Sequence, residues 1–174
     1  SLYDGASAIA EACLLALCVT RKSTILYSSL LNAPYIHVMQ SYLSGKDINI
    51  VEIPMINGVT DLDQITPNID DLAAVIIQSP NTLGLLENWE LTKENIAGSN
   101  ALLIAVGDPI ALSVLKTPGE CGADIYVGEG QTLGNPMNYG GPLLGLMAIK
   151  EKYKRRMPGR IIGKTVDKKK NAGF

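Results

Sequence analysis

The sequence predicts an α/β domain built on a mostly parallel sheet. Six short segments rich in Ile, Val, Leu and Ala alternate with stretches that have helical periodicity or helix-start signals. Two of them, residues 73–78 (AAVIIQ) and 101–106 (ALLIAV), are apolar at almost every position, which is typical of strands covered on both faces. A chain of 174 residues, 47% of them hydrophobic, is long enough for one domain with a sizeable core.

The first element is predicted as a buried helix over residues 6–19, with Asp4 as its cap and Gly5 beside it. Its apolar run resembles the core of a signal peptide. However, Asp4 precedes it, Glu11 interrupts it, and Arg21 and Lys22 follow it. This charge order is wrong for a signal peptide, and the run is too short to span a membrane.

The remaining elements follow in the order expected for strand–helix alternation. A second helix begins at Pro34 and ends at Gly45, with one apolar face formed by Tyr35, Val38, Met39 and Tyr42. A turn is predicted at residues 57–58. Strands are predicted at residues 23–28, 48–53, 73–78, 101–106, 124–127 and 143–149, and short helices at residues 61–65, 87–97, 109–115 and from 151 onward.

Charge and composition exclude several function classes. The formal net charge is −2, which predicts neither a nucleic-acid nor a membrane partner. The chain has one histidine, His37, and three cysteines without metal-ligand spacing, so we expect no metal site and no disulfide framework. Ten of the fifteen basic residues lie from Lys150 onward, Arg160 among them, and we expect this basic tail to be solvated.

Three loops follow consecutive predicted strands and are the main functional clue that the residues give. They are SPNTLG after the third strand, GDPIAL after the fourth, and the glycine-rich GEGQTLGNPMNYGGP (residues 128–142) after the fifth. In open parallel sheets, ligands bind beyond the carboxyl ends of the strands. We therefore expect these three loops to border one site.

The glycine-rich loop does not match the common nucleotide motifs. Gly128, Gly130 and Gly134 give GxGxxxG, but two prolines and further glycines prevent a helix from starting there, as a dinucleotide fingerprint requires. The sequence also contains no GxxxxGK[ST] P-loop.

Other candidate residues have a structural and a functional interpretation. Asp108 is either the cap of a helix that begins at Pro109 or a partner for the protonated ring nitrogen of a cofactor. The helix start at residues 5–7 could present amides to a phosphate, but the carboxylate of Asp4 argues against this. No Ser or Cys has the context of an activated nucleophile, and His37 is predicted to be an ordinary structural or surface residue.

Several motifs together resemble one family. YDGASA, SPNTLG, the Asp of GDPIAL, TPGECGADI, GEGQTLGNPMNYGGPLLG and KYKRRMPGRIIGKTVD are similar to the amino-terminal half, or subunit 1, of the glycine cleavage system P-protein. The resemblance covers essentially the whole chain. It implies a three-layer, fold-type-I large domain of the pyridoxal-phosphate (PLP)-dependent transferase kind, with a mostly parallel sheet.

The resemblance also implies an activity. Family members are oxidoreductases of glycine catabolism that decarboxylate glycine and pass its aminomethyl group to the lipoyl arm of H-protein, with PLP as electron sink. PLP belongs to the partner half, subunit 2, whose anchoring lysine matches Gln131 here. An amide forms no imine, so we expect no covalent cofactor and no catalytic residue on this chain. The matching degenerate positions are Gln131, Asp108, Asn81, Gly5 and Ser7.

The resemblance places limits on the chain as well. Family subunits carry further segments at both ends, so residues 1–150 are expected to form the core of the large domain. Residues 151–174 are expected to be a basic helix start and an extended segment that lead to an absent small domain. The expected location is the cytoplasm in a bacterium or the mitochondrion in a eukaryote. Two alternatives remain open: a stand-alone module for a small anion or nucleotide, and an independent PLP enzyme that uses Lys116.

Overall fold

The computed structural model describes residues 1–68, 70–159 and 161–173, so Arg160 of the basic tail lies outside the described residues. Its centre is a six-stranded sheet with the strand order β2-β1-β5-β6-β7-β8. The strands are β1 (Thr24–Ser28), β2 (Asn49–Ile53), β5 (Leu72–Gln78), β6 (Leu102–Val106), β7 (Ile125–Glu129) and β8 (Gly145–Ile149). All neighbours pair in parallel except β7 and β8, which are antiparallel. The predicted mostly parallel sheet is confirmed.

Helices cover both faces of this sheet. Helices α1 (Gly5–Thr20) and α2 (Ala33–Leu43) pack on one face, with residues such as Ile25 and Ile76. Helix α3 (Trp89–Asn95) and the 3₁₀ segment Leu62–Asn68 lie on the other. Because successive side chains of a strand point to opposite faces, continuous apolar strands supply both clusters. Six of the seven residues of β5 are buried for this reason.

The first helix forms as the sequence predicts. Asp4 is its N-cap: Asp4 Oδ1 accepts the Ser7 N–H at 2.7 Å, and Ser7 Oγ accepts the Asp4 N–H at 3.1 Å. This reciprocal arrangement satisfies amides that a helix start leaves free. No helix among the described residues is long and apolar enough to cross a membrane.

Other helix predictions need correction. On α2 the buried residues are Met39 and Leu43, whereas Tyr42, which was predicted on the apolar face, is 46% exposed. The buried face of the helix therefore includes Leu43 in place of Tyr42. Residues 109–115 form only one 3₁₀ turn, Ala111–Ser113, and no helix begins at Pro109. The segment Glu151–Arg156 is likewise a 3₁₀ helix.

Two small hairpins were absent from the prediction. Strands β3 (Met55–Ile56) and β4 (Val59–Thr60) flank the predicted Asn57-Gly58 turn, where both residues have positive φ. Strands β9 (Thr165–Val166) and β10 (Ala172–Gly173) pair within the segment expected to be extended. Two-residue ladders carry no measurable hydrophobic period, which explains why the sequence did not reveal them.

Candidate functional site

The three predicted loops meet at the carboxyl ends of β5, β6 and β7 around a cavity of about 330 Å³. This volume lies at the lower end of the range for small-molecule sites. The lining comes from the start of α2 and from the ends of β5, β6 and β7 with the loops that follow them. The residues are Asn32, Tyr35, Gln78, Pro80, Val106, Gly107, Asp108, Ala111, Glu129 and Thr132. The three loops therefore border one cavity.

Glu129, the last residue of β7, is the most heavily hydrogen-bonded carboxylate of this cavity. Its Oε2 accepts the N–H of Gly5 at 2.9 Å, and its Oε1 accepts the N–H groups of Gln131 at 2.9 Å and Leu144 at 2.8 Å. One side chain thus joins the start of α1 to both ends of the glycine-rich loop. The predicted loop is also shorter than expected, because β7 continues through Glu129.

Gly5 and Ser7, predicted at the phosphate-side helix start, are buried and occupied by the chain itself. The Gly5 N–H donates to Glu129, and the Ser7 N–H donates to Asp4. A Cβ at Gly5 would lie only 2.5 Å from the hydroxyl oxygen of Tyr35, so a larger residue here would have to displace the Tyr35 side chain.

Gln131 lies in the glycine-rich loop, where sequence reasoning placed it. Its Nε2 donates to the carbonyl oxygen of Gly140 at 2.7 Å, which links the two halves of the loop. Gly140 and Gly141 both have positive φ, and a Cβ at Gly141 would meet the Pro136 carbonyl at 2.0 Å. Glycines shape this part of the loop for steric reasons, and Gln131 fastens it.

Asp108 lines the cavity from the end of β6 and is exposed. Its Oδ1 accepts the Ile110 N–H at 2.9 Å, an Asx turn rather than the predicted helix cap, because the short helix begins only at Ala111. Its Oδ2 accepts no hydrogen bond from the described residues, so this oxygen is available to the cavity.

Asn81 lies beside the cavity and does not line it. Its Oδ1 accepts the N–H groups of Leu83 and Leu85, and its Nδ2 donates to the Gly58 carbonyl at 3.0 Å and to Glu87 at 2.9 Å. The side chain is 5% exposed and these contacts use all of its hydrogen-bonding groups in shaping the loop after β5.

The charged side chains at the cavity are negative. Burial, and next the charges of Glu129, Asp4 and Asp108, raise the pKa of Tyr35 to about 12. Burial, and next the charge of Asp108, raise the pKa of Tyr126 to about 12. None of the described residues that line the cavity is basic. Both phenols therefore stay protonated at neutral pH, and the carboxylates have no cationic partner there.

Lys116 lies outside this cavity and forms an ion pair with Glu90. The hydrogen bond to Glu90, and then the charge of that carboxylate, raise the pKa of Lys116. Imine formation needs a neutral amine, so this environment works against the chemistry required by the alternative based on Lys116.

Metal and thiol chemistry have no structural support in the described part of the chain. It contains no cluster of three His, Cys, Asp or Glu side chains that could hold a metal ion. The cysteines Cys13, Cys18 and Cys121 are free, and burial raises the pKa of Cys13 to about 12. His37 is exposed on α2.

Three residues that line the cavity were not predicted from the sequence: Glu129, Gln78 and Tyr35, which was expected only on the apolar face of a helix. Glu129 stands in the quoted GEGQ stretch, and its one available signal is an acid at the end of an apolar strand directly before a glycine loop. The partners that define its role are Gly5, 124 positions away in the chain, and Leu144. Such partners become visible only after folding.

Comparison with known proteins agrees with this architecture. The family model described as glycine cleavage system P-protein matches residues 1–174. The chain belongs to this family. It is 50% identical, over its whole length, to a protein of Desulforamulus reducens named probable glycine dehydrogenase (decarboxylating) subunit 1, and covers 39% of that relative.

Solved structures support the same fold. A crystal structure of glycine decarboxylase (P-protein) in inhibitor-bound form superposes with a TM-score of 0.94 at 42% identity, over 100% of this chain and 39% of the other. A cysteine desulfurase of Escherichia coli matches with a TM-score of 0.73 at 12% identity, over 92% of this chain and 40% of the other, which shows fold likeness alone. The predicted fold-type-I large domain is confirmed, and the chain spans about two fifths of these proteins.

Proposed function

We propose that this chain is the large-domain part of a glycine dehydrogenase (decarboxylating) subunit that does not anchor PLP. In this proposal a partner subunit carries the cofactor, decarboxylates glycine and transfers the aminomethyl group to lipoyl H-protein. This chain completes the assembly and supports the partner's site. The proposal rests on family membership and on the nature of the residue at position 131.

Gln131 is the observation that carries the proposal. Its amide nitrogen is delocalised into the carbonyl group and cannot form an imine. It already donates to the Gly140 carbonyl at 2.7 Å, and no described lysine lines the neighbouring cavity. The chain therefore offers the cavity no amine to hold a carbonyl cofactor.

The cavity fits PLP at one point only. Asp108 Oδ2 is free of partners in the described part of the chain and could face a protonated ring nitrogen. The anchoring amine is missing, and no basic lining residue is available for a phosphate. In this proposal no chemical step takes place on a cofactor held by this chain, and the chain has no catalytic residue.

Partners and location remain predictions. The name of the relatives, subunit 1, supports the existence of a second subunit, and a heterotetramer with a PLP-bearing subunit 2 is the assembly we expect. Docking of H-protein and a cytoplasmic location in a bacterium belong to the same proposal.

Borohydride trapping tests this proposal. The chain is co-expressed with a candidate subunit 2, incubated with PLP in the absence of glycine so that any imine is to a lysine of the protein, reduced with borohydride and digested for mass spectrometry. We expect one phosphopyridoxyl adduct on a lysine of the partner and none on this chain. A stoichiometric adduct on a lysine of this chain would overturn the proposal, and reduction without PLP is the control.

The cavity itself supports a second candidate, a stand-alone module for a small ligand, because its volume of about 330 Å³ suits a small molecule. A thermal-shift screen with PLP, NAD and nucleotides separates the two. A saturable stabilisation of the chain alone supports the binding module, and unchanged melting with every ligand supports the subunit role.

A further inference from the structure

The amino end of α1 is built like an anion site. A helix leaves its first amides without intrahelical partners, and the aligned peptide dipoles place a partial positive charge there. Such helix starts commonly receive phosphate or carboxylate groups. Helix α1 has 16 residues, and its first residue, Gly5, faces the cavity edge between Tyr35 and Glu129.

A carboxylate of the chain already occupies this anion position. Glu129 Oε2 lies 2.9 Å from the Gly5 nitrogen, and Oε1 lies 2.9 and 2.8 Å from the nitrogens of Gln131 and Leu144. The three amides come from three separate segments: the start of α1, the loop after β7 and the residue before β8. They converge on one side chain as they would on the oxygens of a bound oxyanion.

The surrounding charges would further oppose an anionic ligand. Asp4 caps the same helix, and Asp108 faces the cavity from the end of β6. Burial first, and then the charges of Glu129, Asp4 and Asp108, raise the pKa of Tyr35, so these three carboxylates act on a group that lines the cavity. With no described basic side chain in the lining, a phosphate that entered would meet three negative charges and no cation.

We propose that Glu129 is an internal anion that fills the anion position at the start of α1 and makes this cavity reject phosphate esters. This inference rests on the proposed function and deepens it, because it names the residue that determines which ligands the non-anchoring half excludes. It predicts that two independent features keep a phosphorylated cofactor off this chain: Gln131 offers no amine, and Glu129 leaves no phosphate site.

Removal of the Glu129 side chain should expose the site. Isothermal titration of the full chain with inorganic phosphate, at constant ionic strength, is expected to show no saturable binding. In Glu129→Ala the three amides lose their acceptor and space opens beside Gly5. Because three N–H donors are then free, we expect saturable phosphate binding to appear, with an affinity at least about tenfold above the detection limit that bounds the unaltered chain.

The matched control is Asp108→Asn. It removes one negative charge from the same cavity but frees none of the three amides, so we expect no comparable gain in phosphate affinity. Far-UV circular dichroism and urea unfolding establish that each variant is folded. If Glu129→Ala does not fold, Glu129→Gln replaces it, because it keeps the side-chain shape while removing the charge, and a smaller gain in phosphate affinity is then expected.

Three results would overturn the inference: saturable phosphate binding by the unaltered chain, no gain in a folded Glu129 variant, or an equal gain in Asp108→Asn. Each of these leaves the borohydride result on the partner subunit untouched. Failure of the inference is therefore distinguishable from failure of the proposed function.

Discussion

Strand β7 has a carboxylate at each end, and the two are compensated by different means. Asp124, directly before the strand, is 2% exposed and accepts hydrogen bonds from Lys93 Nζ at 2.6 Å and Lys150 Nζ at 2.9 Å. It also accepts the Leu103 N–H at 3.1 Å. Here two side-chain cations balance one buried anion. The two ion pairs connect α3 and the residue after β8 to the residue before β7.

Glu129, at the other end of the strand, has three backbone N–H partners and no described cation. Backbone amides are held by the fold and need no side-chain ordering, whereas each lysine loses rotamer freedom when it pairs. At the amino end of β7, the buried carboxylate is therefore compensated by ion pairs. At its carboxyl end, Glu129 accepts hydrogen bonds from the same fixed N–H donors that could otherwise bind a ligand.

The largest expected effect follows from removing the charge at the amino end of β7. Asp124→Asn leaves Lys93 and Lys150 facing each other without their shared anion, so we expect the free energy of unfolding to fall by about 3 kcal/mol. Urea unfolding monitored by circular dichroism measures it. The equivalent change Glu129→Gln keeps one acceptor oxygen and is expected to cost about 1 kcal/mol.

The comparison would fail if the two substitutions cost equal amounts. Glu151→Gln is the control for ion pairing in general, because its partner Lys154 is an exposed neighbour on the 3₁₀ segment. Exposed pairs contribute little, so this variant should unfold like the unaltered chain.

A smaller effect is expected in the dependence on pH. Burial raises the pKa of Asp124, but the hydrogen bonds from Lys93, Lys150 and Leu103 outweigh it and leave the pKa below its usual range. The unfolded chain therefore binds this proton first as pH falls. The stability that Asp124 provides is fully present above its unfolded pKa of about 4 and is lost as pH falls through the lower folded value.

The measurement is the difference in unfolding free energy between the unaltered chain and Asp124→Asn. We expect it to be constant from pH 7 to about pH 5 and to shrink below about pH 4. A difference that grows in acid would contradict the assignment of a lowered pKa to Asp124.

The sequence was a reliable guide where hydrophobic period and backbone chemistry decide the structure. The apolar segments at residues 73–78 and 101–106 became β5 and β6, and Asp4 capped α1. The order of the strands placed the three loops together. Predictions were wrong where short segments depend on tertiary contacts, as in the single turn Ala111–Ser113 and the exposed Tyr42.

The site was predictable by position and less so by role. The sequence located Gln131 and Asp108 at the correct edge, but it could not show that Asn81 and Ser7 are engaged in local hydrogen bonds. Glu129 was not identified because its role depends on amides that converge only in the folded chain. A lone acid at a strand end has no periodicity or spacing that marks it.

The most direct test of the central claim observes the three amides around Glu129. In ¹⁵N-labelled chain, the hydrogen-exchange rates of the Gly5, Gln131 and Leu144 amides are compared by NMR between the unaltered chain and Glu129→Ala. If one carboxylate accepts all three N–H groups, exchange should be slow at all three amides in the unaltered chain and should become faster at all three in the variant. Fast exchange at any of the three in the unaltered chain, or unchanged exchange in a folded Glu129→Ala, would contradict the claim.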